Sequence, residues 1–210
     1  MTSLRTYERK RRFDQTPEPK PERKGGSSKH HFVVQKHRAS QLHYDFRIEA
    51  DGVLKSWAVP KGPSSNPKVK RLAMQVEDHP LGYETFEGVI PQGQYGGGTV
   101  MVWDRGMYKP ENGENISELI RKGELKLKLK GKKLKGSWAL VRIGDRSWLL
   151  IKHRDKYASE EEPAERSPNS VLTGRSLAQI AAAEGGDVAK AASGDPPVRR
   201  KTKPRIRSAS

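Results

Sequence analysis

Between His30 and about Tyr157, short apolar runs alternate with polar positions and are separated by turn signals, the pattern of an antiparallel all-β domain. LHYDFRIE alternates strictly, so Leu42, Tyr44, Phe46 and Ile48 share one strand face and His43, Asp45, Arg47 and Glu49 share the other. HHFVVQKH precedes it as a strand, and Asp51-Gly52 is a hairpin signal that leads into VLKSWAVP. KGPSSNPK reads as a loop, and RLAMQVE, TFEGVI, GTVMVWD, ELKLKLK, GSWALVRI and SWLLIKH are further strands. LKLKLKGKKLKG is an amphipathic hairpin with its lysines toward solvent. One short helix is predicted from Ile116 to Lys122, with Ser117 near its start and Gly123 just past its end. Trp57, Trp103, Trp138 and Trp148 all fall in strands and are assigned to the core. The predicted fold is therefore a compact, closed or nearly closed, mainly antiparallel β-barrel with one or two short helices; closure removes exposed edges.

The ends differ in composition from the middle. Residues 1–29 are rich in Lys, Arg, Pro, Gly and Ser, with only Leu4, Tyr7 and Phe13 as sizeable apolar anchors, and are expected to form a flexible basic arm. Residues 30–157 are the barrel domain, and residues 158–210 are expected to be disordered or weakly structured. Within that tail SLAQIAAAE is a lone weak helix, and VRRKTKPRIRSAS carries basic residues and no acid.

Charge adds a partner to this picture. The chain of 210 residues has a net charge of +16, divided as +5 over residues 1–29, +9 over 30–157 and +2 over 158–210. An excess that spans the core as well as the ends favours a polyanion, nucleic acid foremost. There are no cysteines, which excludes disulfides and thiolate metal sites. No apolar run approaches the roughly 20 residues of a membrane span, and the N-terminus is charged, so no membrane partner and a cytoplasmic location are expected, nucleoid-associated when bound to DNA.

The residues with most chemistry are His43, Asp45 and Arg47, which period-2 geometry projects from one strand face. If the preceding strand pairs antiparallel, His37 approaches His43, and two imidazoles with one carboxylate form a ligand set suited to Mn, Fe, Zn or Co. The alternative is that these are polar side chains on a solvated face. Arg47, Lys61 and Arg71 lie on or beside successive strands, where pairing would converge them on one anion. Glu77, His79 and Tyr83 follow the strand RLAMQVE; His79 is a candidate phosphate donor or general acid and Tyr83 a hydroxyl donor. GVIPQGQYGGGTV is not a GxxxxGK[ST] loop and leads into a β-rich run, so it reads as a tight turn permitting close backbone packing. No GxSxG motif is present, and Glu49-Ala50-Asp51-Gly52 lacks the lysine of nucleotidyl-transfer motifs.

QKHRASQLHYDFRIEADGVLKSWAVPKGPS followed by KRLAMQVEDHPLGYETFEGVIPQGQYGGGTVMVWDRG resembles the 3′-phosphoesterase domain of bacterial DNA ligase D, over about residues 5–155. The resemblance implies a compact β-barrel in non-homologous end joining. It implies that His37, His43 and Asp45 bind a divalent metal, commonly Mn2+, with Co2+ or Zn2+ as alternatives. It implies phosphate contacts from Arg47, Lys61 and Arg71 and functional roles for Glu77, His79 and Tyr83. From the arm, Arg11 and Glu18 match the family motif, whereas Arg12 stands at its usual Asp position, with Asp14 out of register. The implied activity removes a 3′-terminal ribonucleoside and then the 3′-phosphate, leaving a 3′-hydroxyl.

The expected function is thus a metal-dependent 3′-phosphodiesterase and 3′-phosphomonoesterase acting on DNA 3′ ends, at breaks or on primer-templates. A stand-alone form is expected, beside a separate end-joining ligase, polymerase or end-binding protein. Two other readings stay open on the residues alone: a 2-oxoglutarate and iron oxygenase, which shares the His-x-Asp signature, and a non-catalytic DNA-binding barrel.

Overall fold

Alternating strands have one apolar face each, and in this chain those faces close on one another. A computed structural model describes residues 4–22, 30–111, 113 and 115–197. The strands are β1 (His31–Arg38), β2 (Leu42–Ala50), β3 (Val53–Val59), β4 (Lys70–Gln75), β5 (Gly88–Ile90), β6 (Gly98–Pro110), β7 (Glu124–Gly131), β8 (Lys135–Arg142) and β9 (Ser147–Lys152). The order β1-β2-β3-β4-β9-β8-β7-β6 closes through a β1–β6 pairing into an eight-stranded antiparallel barrel, with β5 added outside the ring on β6. β6 outruns the predicted GTVMVWD because it pairs with β5 and β1 along one part and with β7 along the other.

Phe32, Val34, Tyr44, Phe46, Trp57, Trp103, Trp138 and Trp148 fill the interior, so all four tryptophans are core, as the pattern predicts. In the β7–β8 hairpin Leu125, Leu127 and Leu129 face inward while Lys126, Lys128 and Lys130 are exposed. The register of β1 against β6 shifts between Val34 and Gln35, a bulge at Trp103. At Gly98 (φ 153°) a Cβ would collide with the Arg38 carbonyl, so glycine is what lets β6 start against the end of β1. The predicted helix forms as α2 (Ile116–Lys122), capped by the Asn115 side chain and ended by Gly123 at φ 88°.

The described residues before β1 and after β9 are more ordered than their composition suggests. An N-terminal helix (Leu4–Arg9), α1 in chain order, lies on the barrel's outer surface with Tyr7 fully buried beside Val33, Leu54, Tyr83 and Val102. The expected flexible arm is therefore corrected for residues 4–22: one buried aromatic and the ion pairs described below hold the segment down. After β9, three helices follow among the described residues, α3 (Pro163–Arg166), α4 (Leu177–Ala183) and α5 (Val188–Ala192). Ser176 and Gln179 form a capping box at α4, whose Leu177, Ile180 and Ala181 are fully buried in the core. Asp195 accepts from the Leu177 and Ala178 amides and pairs with the buried Lys36 ammonium at 3.4 Å. The expected disordered or weakly structured tail is thus corrected for residues 158–197, where helices pack on the core and Asp195 gives the buried Lys36 a counter-charge. The basic run 198–210 lies outside the described residues.

Candidate active site

The site occupies the outer face of β1 and β2, opposite the apolar interior. Antiparallel register places His37 directly across from His43, and Asp45 follows His43 by one period-2 step. The imidazole rings lie 4.8 Å apart, and Asp45 Oδ2 is 3.9 Å from His37 Nδ1 and 3.7 Å from His43 Nε2. One ligand atom from each residue falls within 4.8 Å of the others. The far ring nitrogens are also engaged: His37 Nε2 donates to the Gly96 carbonyl at 2.8 Å and His43 Nδ1 to the Gln41 carbonyl at 3.1 Å. Each carbonyl fixes a proton on the outer nitrogen and leaves the inner lone pair directed at the shared space, the support that metal-binding histidines usually have. Burial lowers His37 to about 4 despite Asp45 nearby, which keeps it neutral as a ligand must be. For Asp45 burial pushes the pKa up, but Arg47, then His43 and His37, outweigh it and hold the carboxyl below its ordinary value. The donor set fits a divalent cation of borderline hardness.

Arg47 extends this row into a basic pocket. Its guanidinium donates to Gln35 Oε1 (2.8 Å) and Asp45 Oδ2 (3.0 Å), and Nη1 lies 3.0 Å from His79 Nδ1. Gln35 is itself held by the carbonyls of Tyr83 and Phe86, so Arg47 is braced from two elements. His79 Nδ1 is 2.9 Å from the Glu77 carbonyl and Nε2 is 3.3 Å from Arg11 Nη2. A proton on Nδ1 satisfies Glu77 and Arg11 together, since a carbonyl only accepts and a guanidinium only donates, and it leaves Arg47 Nη1 against Nδ1 as a close approach rather than a hydrogen bond. Burial, Arg47 and Arg11 push His79 well below the ordinary imidazole value, so it is neutral here.

The N-terminal segment completes the pocket. Arg11 pairs with Glu18 at 2.9 Å and Glu77 at 3.3 Å, and its guanidinium stacks 3.7 Å from the Tyr7 ring centre. Lys10 reaches Glu77 at 3.1 Å, and the Tyr83 hydroxyl donates to Glu18 at 2.8 Å. Burial tends to raise Glu77, but a backbone hydrogen bond, Lys10 and Arg11 hold it below the ordinary value. For Tyr83, burial and then Glu18 raise the phenol well above its ordinary value, so it stays a hydroxyl. The resulting small cavity, about 70 Å³, is lined by residues that include Arg11, His37, Asp45, Arg47, His79 and Tyr95.

The register sets Arg71 on the other side of the sheet from Arg47. Asp45 is opposite Ala58 and Ala58 opposite Met74, so Met74 shares the Asp45 side while Arg71 shares the inward side with Ala73. Arg71 pairs with Glu162 at 2.7 Å. Lys61 is exposed in the turn after β3. Arg11 and His79 take the places beside Arg47. Arg12 and Asp14 are both exposed, so neither is built into the pocket. The glycine-rich segment is the tight turn expected, and it also supplies the Gly96 carbonyl to His37.

Sequence reasoning missed Gln35, Lys10, Tyr7 and Tyr95. Gln35 was accessible by the same period-2 rule that joined His43 to Asp45, since it lies two residues before His37 on β1. Tyr7 and Lys10 had no such signal, because nothing local shows that the arm folds back.

Residues 35–142 match the family model described as the DNA ligase D 3′-phosphoesterase domain. The chain is 52% identical over 184 residues to the multifunctional non-homologous end joining protein LigD of Pseudomonas aeruginosa, covering 83% of this chain and 22% of that protein. It is 44% identical over 160 residues to the multifunctional non-homologous end joining DNA repair protein LigD of Mycobacterium tuberculosis, covering 76% of this chain and 20% of that protein. With its counterpart from Mycolicibacterium smegmatis the identity is 40% over 172 residues, 79% of this chain and 22% of that protein. The chain spans about a fifth of the length of these relatives.

Proposed function

The chain belongs to the DNA ligase D 3′-phosphoesterase domain family, and from that premise we propose that it is a metal-dependent hydrolase that removes 3′-terminal ribonucleosides and 3′-phosphates from DNA ends in double-strand break repair. The observation that carries this reading is the abutment of the His37, His43 and Asp45 ligand set with a buried pocket built from Arg47, Arg11 and His79. Within the pocket Lys10, Arg11 and Arg47 offset Asp45, Glu18 and Glu77. A divalent cation, Mn2+ foremost, then leaves the site positive enough for a phosphate that carries about −1.5 to −2 charge.

Bound by His37, His43 and Asp45, that cation supplies Lewis-acid charge for a phosphoryl oxygen. Arg47, braced by Gln35 and Asp45, is pre-oriented and meets the charge that develops on non-bridging oxygens without reorganising. Arg11 approaches the same anion from the arm. His79 is neutral between two guanidiniums; an incoming phosphate reverses the local field, raises the imidazole's proton affinity and fits it to protonate the leaving oxygen. Glu77, Glu18 and Tyr83 hold Arg11 and the arm in place. Lys61, exposed in the turn after β3, and Arg71, on β4, are assigned to flanking backbone phosphates.

Family membership and a buried, charge-compensated site favour this reading over a non-catalytic DNA-binding barrel or an iron oxygenase. The test is phosphate release from a DNA primer bearing a 3′-phosphate, with Mn2+ or with a chelator, beside a His43→Ala variant. Release is expected only from the wild-type protein with metal; equal release by both proteins sinks the proposed centre.

A further inference from the structure

Beside the phosphate pocket stands an aromatic side chain that the mechanism above does not use. Tyr95 lies in the turn whose next residue, Gly96, accepts the hydrogen bond from His37 Nε2. The residue is 48% exposed, whereas Tyr7 and Tyr83, also at the site, are buried. Tyr95 nevertheless lines the same small cavity as His37, Asp45 and Arg47. One backbone turn therefore orients a metal ligand and presents an aromatic ring at the pocket rim.

That ring is held in place from the arm. Lys10 Nζ donates to the Tyr95 hydroxyl at 3.0 Å and sits 4.3 Å from the ring centre, with the Arg11 guanidinium 5.6 Å away. Gln94 Nε2 donates to Gln15 Oε1 at 2.8 Å, a second tie between the turn and the arm. An exposed tyrosine costs apolar hydration, and two ties that order it add an entropic cost; a flat partner offsets both. Nucleobases are such partners, because each has a π face that stacks on an aromatic side chain.

We propose that Tyr95, fixed by Lys10, is a nucleobase subsite on which the terminal base stacks while its 3′-phosphate enters the Arg47–His79 pocket. The subsite takes any base, since stacking reads the π face and not the hydrogen-bonding edge. It rests on the functional reading given above. It explains how a pocket too small for a nucleoside accepts only the phosphate and still selects a nucleotide end.

The experiment compares wild-type, Tyr95→Phe and Tyr95→Ala proteins on two primers with Mn2+. One primer ends in an ordinary nucleotide 3′-phosphate, the other in an abasic deoxyribose 3′-phosphate. On the ordinary end Tyr95→Ala is expected to raise KM by about 5- to 150-fold, the range of one base–aromatic stack. Tyr95→Phe, which keeps the ring and loses the hydroxyl, is expected to raise it only up to about threefold. On the abasic end the wild-type KM rises to near that of Tyr95→Ala, and Tyr95→Ala loses little more. A Phe variant as impaired as Ala overturns the stacking role and assigns the effect to the Lys10 contact. An Ala variant impaired equally on both ends overturns it too, since no base is then involved. Wild-type protein that releases phosphate from neither end overturns the functional reading and this subsite with it.

Discussion

Strands β2 and β7 carry the same alternation, and their polar faces meet opposite fates. On β2 the face bearing Asp45 and Arg47 is buried, at 6% and 3% exposure. On β7 Lys126, Lys128 and Lys130 stay in water. The apolar faces of both strands line one core. Period-2 alternation therefore states which residues share a face and leaves open whether that face is wet. What separates the two is cover: α1, the arm after it and the segment carrying His79 and Tyr83 lie over β2, and among the described residues no element lies over the β7 lysines. A buried polar face needs partners for its groups, and β2 finds those of Arg47 in Gln35 and in a network of Arg11, Glu77 and Glu18 drawn from elsewhere in the chain, while one Glu49 carboxylate oxygen stays buried without a hydrogen-bond partner among the described residues.

The contrast is broken most directly by removing the cover. Tyr7→Ala is expected to destabilise the protein by about 3–5 kcal/mol, as for other fully buried aromatics, and to loosen Arg11; a denaturant titration followed by circular dichroism measures it. An unchanged midpoint would mean that α1 is not what keeps the β2 face dry. Next in size, Arg47→Ala should lower kcat/KM about a hundred- to a thousandfold, the scale of one pre-oriented charge-stabilising group, with Arg47→Lys only partly restoring it. Steady-state phosphate release gives the figure, and a loss confined to KM would recast Arg47 as a binding group alone.

Acid probes the same cover through His79. The folded imidazole is held well below 6.5 by burial, Arg47 and Arg11, so the unfolded chain takes up the proton first as pH falls. That contribution to stability is whole above about 6.5 and is lost progressively below it. Urea midpoints measured at pH values on both sides should fall with acid more steeply for wild-type protein than for His79→Gln; parallel curves would show that His79 is not the group titrating. The smallest effect belongs to β7: Lys128→Ala should change stability by less than about 0.5 kcal/mol, and a larger loss in thermal unfolding would mean that the lysine face is covered after all.

The barrel and its strands were legible because their information is local. Alternation and turn chemistry locate β1 to β9, and Ile116–Lys122 with Gly123 just past it marks α2, although its cap is Asn115 rather than Ser117. His43, Asp45 and Arg47 were legible for the same reason, and His37 needed only the assumption of antiparallel pairing, which the register supplies. The side of the sheet that Arg71 takes relative to Arg47 was not legible, because adjacent strands do not imply a shared face. One residue of register decides that, and Arg71 falls on the inward side with Ala73.

By itself the sequence determined the β class, the apolar interior with its four tryptophans, and the ligand row on one face of β2, since each follows from neighbouring residues and a fixed strand period. Tertiary structure alone decided that this row is buried, that Arg11 and His79 stand by Arg47, and that the described residues on either side of the barrel strands pack on it. Those outcomes depend on long-range pairings of a few buried charges, such as Arg11 with Glu77 and Lys36 with Asp195. A desolvated charge finds its partner in three dimensions, and no sequence period records where that partner is.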